Sequence, residues 1–452
     1  MHLFSNFYTQ IYLKCYICQS LDIAHLNKLR QYISSNKTLK NFMVYGIGQG
    51  VNLISPLLIT PYLIYICGLE KLGIVAIGQS VAYILIVFVD YSSYILGVKE
   101  ISVNRENLPI LERLFSTIYA AKFFLLLIVL LLTLILVTFI PYFNDYRMTI
   151  FYSLSIVIGQ FINPTWFFQG TENFKWITII NILAKVLYVG GVLLFVTSKS
   201  DYLYANLWLG LGAIIANLIG FLWIIKQYNF NVRHFSYFAV QELLVKDFSF
   251  CVSQLFFAIR NYSTILIVAF FAGDFIAGQF KVVEQIINLL RTYLQMFFKF
   301  SYSYVCFEVD RNLKQGLILW RKFNLLNFGF LVLLLLGIYT MADYVLQFFR
   351  VEAALFGVLK TYLRIALFVP LLIGITLPLE QLIFSLNKNK AYIRLTMAST
   401  LFNIIFLSVI MKFFALEEAF ILLIFTEAML IVSYYLLLKP YFEKMPIAST
   451  DQ

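Results

Sequence analysis

Long apolar runs follow one another along this chain, and they limit what it can fold into more than any other feature. Twelve stretches approach or exceed the 20 or so residues that a helix needs to cross the hydrocarbon core of a bilayer. They lie near 42–67, 73–96, 115–139, 149–168, 176–196, 202–225, 248–271, 276–297, 323–340, 362–385, 393–413 and 418–438. Backbone N–H and C=O groups in lipid must be satisfied within the segment, so such runs predict helices. Composition agrees, with 61% of the residues hydrophobic and 13% charged, the latter about half the share of an average soluble domain. The expectation is an all-α polytopic membrane protein of about 12 transmembrane helices.

A net charge of +11 would suggest nucleic acid in a soluble protein. In a polytopic chain it is sorted by side of the membrane instead, and no nucleic-acid partner is expected. With the N-terminus inside, the cytoplasmic segments hold 21 basic residues and the opposite ones 6. That bias fits an even number of spans with both termini cytoplasmic. The longest loop, 226–247, divides the spans six and six. The expected organisation is a cytoplasmic tail 1–41, an N-lobe 42–225, the cytoplasmic loop 226–247, a C-lobe 248–438 and a cytoplasmic tail 439–452. In the first tail Leu21, Leu26, Leu29 and Ile33 could form one side of an interfacial helix. Cys15 and Cys18 form a lone C-x-x-C, and His2, His25 and His234 are scattered, so no metal site is expected. No Walker-type glycine loop is present, and no cofactor is expected.

The eighth stretch departs from the apolar pattern. Lys281, Glu284, Asn288, Arg291 and Gln295 recur at helical spacing and fall within an arc of roughly 80° on one helix face. A charge facing lipid at the bilayer centre costs at least about 2.5–3.5 kcal/mol, so this stripe should face protein or a watery cavity. Snorkelling of Lys281 and Arg291 with local pairing of Glu284 is the structural alternative. The halves also correspond. A shift of 205 residues puts Gln49 on Gln254, Gly68 on Gly273 and Gly73 on Gly278. It puts Gln79, Tyr83 and Asp90 of the second stretch on Glu284, Asn288 and Gln295. Two six-helix lobes, each turning a polar second helix to a shared central cavity, would follow; parallel repeats of this kind occur in transporters.

Three motifs in the first half carry a family resemblance. They are Pro61-Tyr62-Leu63 running to Gly68 and Gly73, then Asp90-Tyr91 followed by Lys99-Glu100-Ile101 and Asn104-Arg105, and Pro164 to Glu172 (PTWFFQGTE). Over about residues 41–440 the chain resembles the Wzx-type oligosaccharide-lipid flippases of the multidrug/oligosaccharidyl-lipid/polysaccharide (MOP) exporter superfamily. Ser92 and Tyr65 depart from the pattern, standing where members often have glycine and arginine.

The resemblance implies a MATE/MOP-like fold in a bacterial inner membrane and a substrate of oligosaccharide joined by diphosphate to undecaprenol. It implies membrane lipids as surroundings, and a polysaccharide polymerase and a chain-length regulator as partners. Lys281, Arg291, Arg260 and Lys185 are then candidate cations for the diphosphate, with Asn288, Gln295, Gln79 and Tyr83 for the sugars. Asp90, Glu284, Glu380 and Glu427 are the intramembrane acids able to couple transport to H+ or Na+. Trp166, Gln169 and Gly170 are candidates for gating or loading, against an aromatic membrane anchor as the plain alternative. A drug exporter of the same superfamily and a membrane-embedded polysaccharide polymerase or ligase remain as rival functions. Basic groups outnumber acidic ones within the spans, which disfavours the first; the absence of a large outer loop disfavours the second.

The charge bias generates a test. Reporter fusions after Arg233 and after Lys439 should both read cytoplasmic, and a periplasmic signal at either position would break the twelve-span scheme.

Overall fold

A computed structural model describes residues 37–386 and 388–443. The interfacial helix expected in the first tail, the Cys15/Cys18 pair and residues 444–452 of the second tail lie outside the described residues. No strand occurs among those described.

The N-terminal half opens with α1 (Lys37–Asp90), whose helical run is broken once, at Gly68, into arms 37–67 and 69–90. It continues through α2 (Leu108–Phe139), α3 (Arg147–Ile162), α4 (Phe174–Phe195) and α5 (Leu203–Tyr228). The C-terminal half is built from α6 (Tyr237–Ala272), α7 (Asp274–Arg311), α8 (Leu313–Thr340), α9 (Phe356–Ala366), α10 (Phe368–Ser385), α11 (Asn389–Phe413) and α12 (Leu416–Phe442). Polar residues mark several ends. The Asn107 side chain accepts from the Ile110 N–H to start α2, and that of Asn312 accepts from Lys314 and Gln315 to start α8. Asn229 closes α5 in the left-handed conformation that its short polar side chain tolerates.

Nine helices among the described residues are long and apolar enough to cross a membrane. The difference from twelve has three sources. The two arms of α1 form one run, α3 has 16 residues, and α7 carries the polar stripe. The linker between the halves is also shorter than 226–247, because α6 already begins at Tyr237. Its first turns read as a loop for their polar residues, Gln241, Glu242 and Lys246, yet Val240, Leu243 and Leu244 pack on Ala120 and Ala121 of α2.

The two halves meet at one end and part at the other. At the meeting end a single apolar core takes Leu63, Leu72 and Ile77 from α1 together with Ile265, Ala269 and Phe280 from the second half. Toward the linker end each half keeps its own core. One is an aromatic knot around Phe115, Trp166 and Phe167; the other holds Val309, Leu317, Leu382 and Tyr434. The start of α6 crosses there, where the Tyr91 hydroxyl donates to the Leu244 carbonyl, the Ser92 hydroxyl to the Asp247 carboxylate and the Lys246 ammonium to the Glu100 carboxylate at 3.3 Å, beside the apolar contact on α2.

The 205-residue repeat is visible in the backbone. Gly68 turns at φ 83°, ψ 170° and Gly273 at φ 84°, ψ 171°, a conformation essentially confined to glycine. Five residues further on, Gly73 and Gly278 let the second arm of α1 and the start of α7 touch. A Cβ on Gly73 would lie 2.0 Å from the Asp274 carbonyl oxygen, and one on Gly278 would lie 1.9 Å from that of Leu69. Gly278→Ala should therefore force the two helices apart. Overpacking of this kind costs about 1–3 kcal/mol, and a cysteine placed at Leu69 should become more reactive to a membrane-impermeant thiol reagent. Gly50→Ala, in open space inside the first arm of α1, should leave the labelling unchanged and stabilise the helix by at most about 1 kcal/mol.

Candidate functional site

Between the parting halves lies a cavity of about 430 Å³. The second arm of α1 brings Gln79 and Tyr83 to it, and the first arm brings Asn52. Facing them, α6 contributes Asn261 and Tyr262, and α7 contributes Lys281, Glu284, Asn288, Arg291 and Gln295. All five members of the α7 stripe thus line one space, because helical spacing keeps them on one face while Phe280, Val283, Ile286 and Leu290 pack into the core behind.

The charges on this wall are not equivalent. Lys281 donates to Glu284 at 2.8 Å, one helical turn away, so the two neutralise each other. Arg291 donates to the amide oxygens of Asn261 at 3.1 Å and Asn288 at 3.3 Å, and no carboxylate lies within ion-pair distance of it among the described residues. Both bonds use Nη1, which leaves the rest of a five-donor guanidinium for a ligand. Lys185 enters a side pocket of about 50 Å³ that also touches Gln79, Tyr83 and Lys281. Its ammonium lies 5.7 Å from the Tyr188 ring, again without a carboxylate partner among the described residues.

The uncharged part of the wall is amide and aromatic. Gln79 donates to Asn206 at 3.0 Å, and Asn206 in turn donates to the Val75 carbonyl and to Ser153, which fixes the Gln79 amide. The Tyr83 and Tyr262 rings approach to 4.9 Å across the two halves. Behind Arg291, two further side pockets run into the second half past Arg260, Glu380 and Glu427. There Arg260 and Glu427 form a close ion pair, Thr376 donates to Glu427 at 3.1 Å, and the Tyr434 hydroxyl reaches Glu380 at 3.5 Å.

Four candidates from the sequence line neither the cavity nor its side pockets. Asp90 accepts from Lys122 at 2.9 Å and from Gln160 at 2.6 Å inside the first half. Trp166 is 2% exposed within the aromatic knot. Gly170 packs beneath Ile101, and Gln169 is half-buried beside it. The PTWFFQG stretch follows the break in the chain after α3, and its rings fill the end of the first half.

Sequence reasoning missed Lys122, Asn52, Asn261 and Tyr262. Lys122 carried a readable signal, as the one charge between residues 114 and 140. The others are single polar groups in apolar runs, with no periodic partner to mark them.

The model of the family described as "Polysaccharide biosynthesis protein" matches residues 38–302, more than half of the chain. The chain belongs to the polysaccharide biosynthesis protein family. Among its relatives is a protein of Escherichia coli (strain K12) named "Putative O-antigen transporter", 25% identical over 302 residues, which are 66% of this chain and 73% of that protein. Among solved structures, the lipid II flippase MurJ in an inward closed conformation superposes with a TM-score of 0.69 at 12% identity, covering 90% of this chain and 88% of that one. An inward-facing multidrug resistance MATE family transporter of the MOP superfamily gives 0.63 at 14% identity, covering 90% and 96%. This member of the polysaccharide biosynthesis family is therefore a multi-pass integral membrane protein with the MATE/MOP fold.

The Asp90–Lys122 ion pair lies within the first half, with Lys122 almost wholly buried. Removing one member of such a pair costs about 3–5 kcal/mol, so Lys122→Met should lower the melting temperature of the purified protein by several degrees. Adding Asp90→Asn to it should restore most of the loss, as read by thermal unfolding in detergent.

Proposed function

We propose that this protein flips a polyprenyl-diphosphate-linked oligosaccharide, an O-antigen or related surface polysaccharide repeat unit, from the cytoplasmic to the periplasmic leaflet of a bacterial inner membrane. It is a transporter and not an enzyme, in keeping with relatives named as transporters and with flippase and transporter neighbours in fold. The observation that carries the reading is Arg291, a cation held by two amides inside the membrane with no carboxylate within ion-pair distance of it among the described residues. A buried positive charge of this kind is stabilised by an anionic ligand, and a guanidinium offers a diphosphate a two-pronged contact.

The surrounding groups suit the rest of such a molecule. Gln79, Asn288 and Gln295 present amides to sugar hydroxyls, and Tyr83 and Tyr262 present flat ring faces. Lys185 extends the positive potential toward the glycine end. The lipid tail would stay in the bilayer while the headgroup crosses by alternating access, the lobes parting at the linker end and closing at the glycine end. With the linker cytoplasmic, the cavity loads from the inside. The acids Glu284, Glu380 and Glu427, which line the cavity or its side pockets, are the groups for coupling to H+ or Na+; Asp90 lies away from them inside the first half. A polymerase and a chain-length regulator would take the product on the far side. The unneutralised cations disfavour a cationic drug as cargo.

Arg291→Ala should remove a desolvated charge contact worth about 2–5 kcal/mol, enough to cut substrate affinity about thirtyfold or more. Arg291→Lys should keep part of the function, since a point charge replaces the fork. The measurement is surface polysaccharide at matched protein levels in a strain lacking other flippases. Export at the parental level by Arg291→Ala would overturn the reading.

A further inference from the structure

Lys185 stands at the middle of α4, the twelfth of its 22 residues. Either end of the helix is about 15 Å away along the axis, farther than a lysine side chain can snorkel. Its ammonium lies 5.7 Å from the Tyr188 ring, and no carboxylate or other hydrogen-bond acceptor of the protein is within reach of it among the described residues. An ammonium has three protons to donate, and a ring face does not satisfy them as a carboxylate would. A charge left in that state deep in a membrane burdens the empty protein.

The side pocket around Lys185 shows where a countercharge can enter. Gln79, Tyr83, Lys281 and Gln285 border both this pocket and the main cavity, so the two are continuous. Ile59, Leu63 and Leu209 stand among its apolar walls, and no Asp or Glu lines it. Glu284, the acid of the main cavity, is held by Lys281 at 2.8 Å and is not part of the pocket. Arg291, in turn, lines the main cavity and not the pocket. It follows Lys281 by ten residues on the unbroken α7, about 15 Å of helix, a longer span than one diphosphate covers. Two separate cations without carboxylates therefore call for two anionic groups set apart on one ligand.

We propose that Lys185 receives the carboxylate of an acidic sugar, so that the repeat unit carried by this protein bears a negative charge beyond its diphosphate. With the diphosphate on Arg291, the oligosaccharide runs along the α7 stripe past Asn288 toward Lys281, and the acidic sugar turns its carboxylate into the side pocket. The pocket, of about 50 Å³, suits a carboxylate entering from the cavity better than a whole sugar ring. Between apolar walls such an ion pair is stronger than in water. Lys185 offers a point charge with three donors, where Arg291 offers a planar fork. The hydroxyl of a neutral sugar would accept one hydrogen bond and leave the charge unmet. The proposal rests on the cavity reading above and adds the class of sugar to it.

The test uses the full-length protein in lipid nanodiscs. The probes are undecaprenyl-diphosphate-linked trisaccharides of glucose, with glucuronic acid at the first, second or third sugar or at none. The readout is the affinity of each acidic probe relative to the neutral one, measured by microscale thermophoresis. The parent should prefer the acid at the third sugar by at least about tenfold. Lys185→Met should bring the ratio close to one, and Lys185→Arg should keep part of it, since the charge remains. Lys185→Met should also raise the melting temperature of the empty protein by a few degrees, because it removes an unpaired charge from the membrane interior. With both kinds of probe weakened by Arg291→Ala, three results would overturn the acidic-sugar assignment alone. They are a parent that prefers no acidic probe, a preference that persists in Lys185→Met, and a Lys185→Met protein that melts below the parent. No binding of any probe by the parent, or binding undiminished by Arg291→Ala, would overturn the cavity reading and the assignment with it.

Discussion

A charge inside a membrane must find a countercharge, strong dipoles or water, and this structure is arranged around that requirement. Lys122 is spent on Asp90, Lys281 on Glu284 and Arg260 on Glu427. Each pair ties helices together or quiets a wall, and each would be costly to break singly. Against this background Arg291 stands out among the described residues as a cation whose hydrogen bonds go to amides. The fold places it where both halves can see it, on a helix whose polar face runs along the gap between them.

The overall architecture could be read before any coordinates, because lipid leaves the backbone so few options. Long apolar runs predicted helices, and the family motifs pointed to the MATE/MOP fold. The grouping of the α7 stripe was also legible, since Lys281 to Gln295 repeat at helical spacing in a background too apolar for chance solvent exposure. The start of α6 was not, because Gln241, Glu242 and Lys246 look like a loop until their apolar neighbours find Ala120 and Ala121. Asp90 was misplaced for a related reason. Its partner Lys122 is a lone charge on another helix, and no periodicity joins the two. The aromatic motif around Trp166 was conspicuous in sequence because it is bulky, and its rings fill the linker end of the first half.

Packing at the two ends of the molecule differs in kind. Toward the linker, side chains of each half interlock mostly among themselves, and the halves touch through the start of α6, by the hydrogen bonds Tyr91–Leu244, Ser92–Asp247 and Lys246–Glu100 and a small apolar contact on α2. At the other end backbone meets backbone across Gly73 and Gly278, within a core that belongs to neither half alone. A contact without side chains has few rotamers to rearrange and leaves little entropy behind when it opens. Motion that separates one end and joins the other therefore has a smooth surface on one side and a small set of polar contacts on the other.

That shared core also sets an order on how the protein can be made. Gly73 and Gly278 are separated by 205 residues of chain. At synthesis rates of about 5–20 residues per second, the second arm of α1 waits roughly 10–40 s before its partner leaves the ribosome. The aromatic knot of the first half has all its central members by residue 230, so that end can set early. Leu72 and Ile77, by contrast, must spend the interval against lipid or a temporary companion. Their side chains are apolar enough to rest there, and the glycine beside them offers no polar group that lipid would penalise.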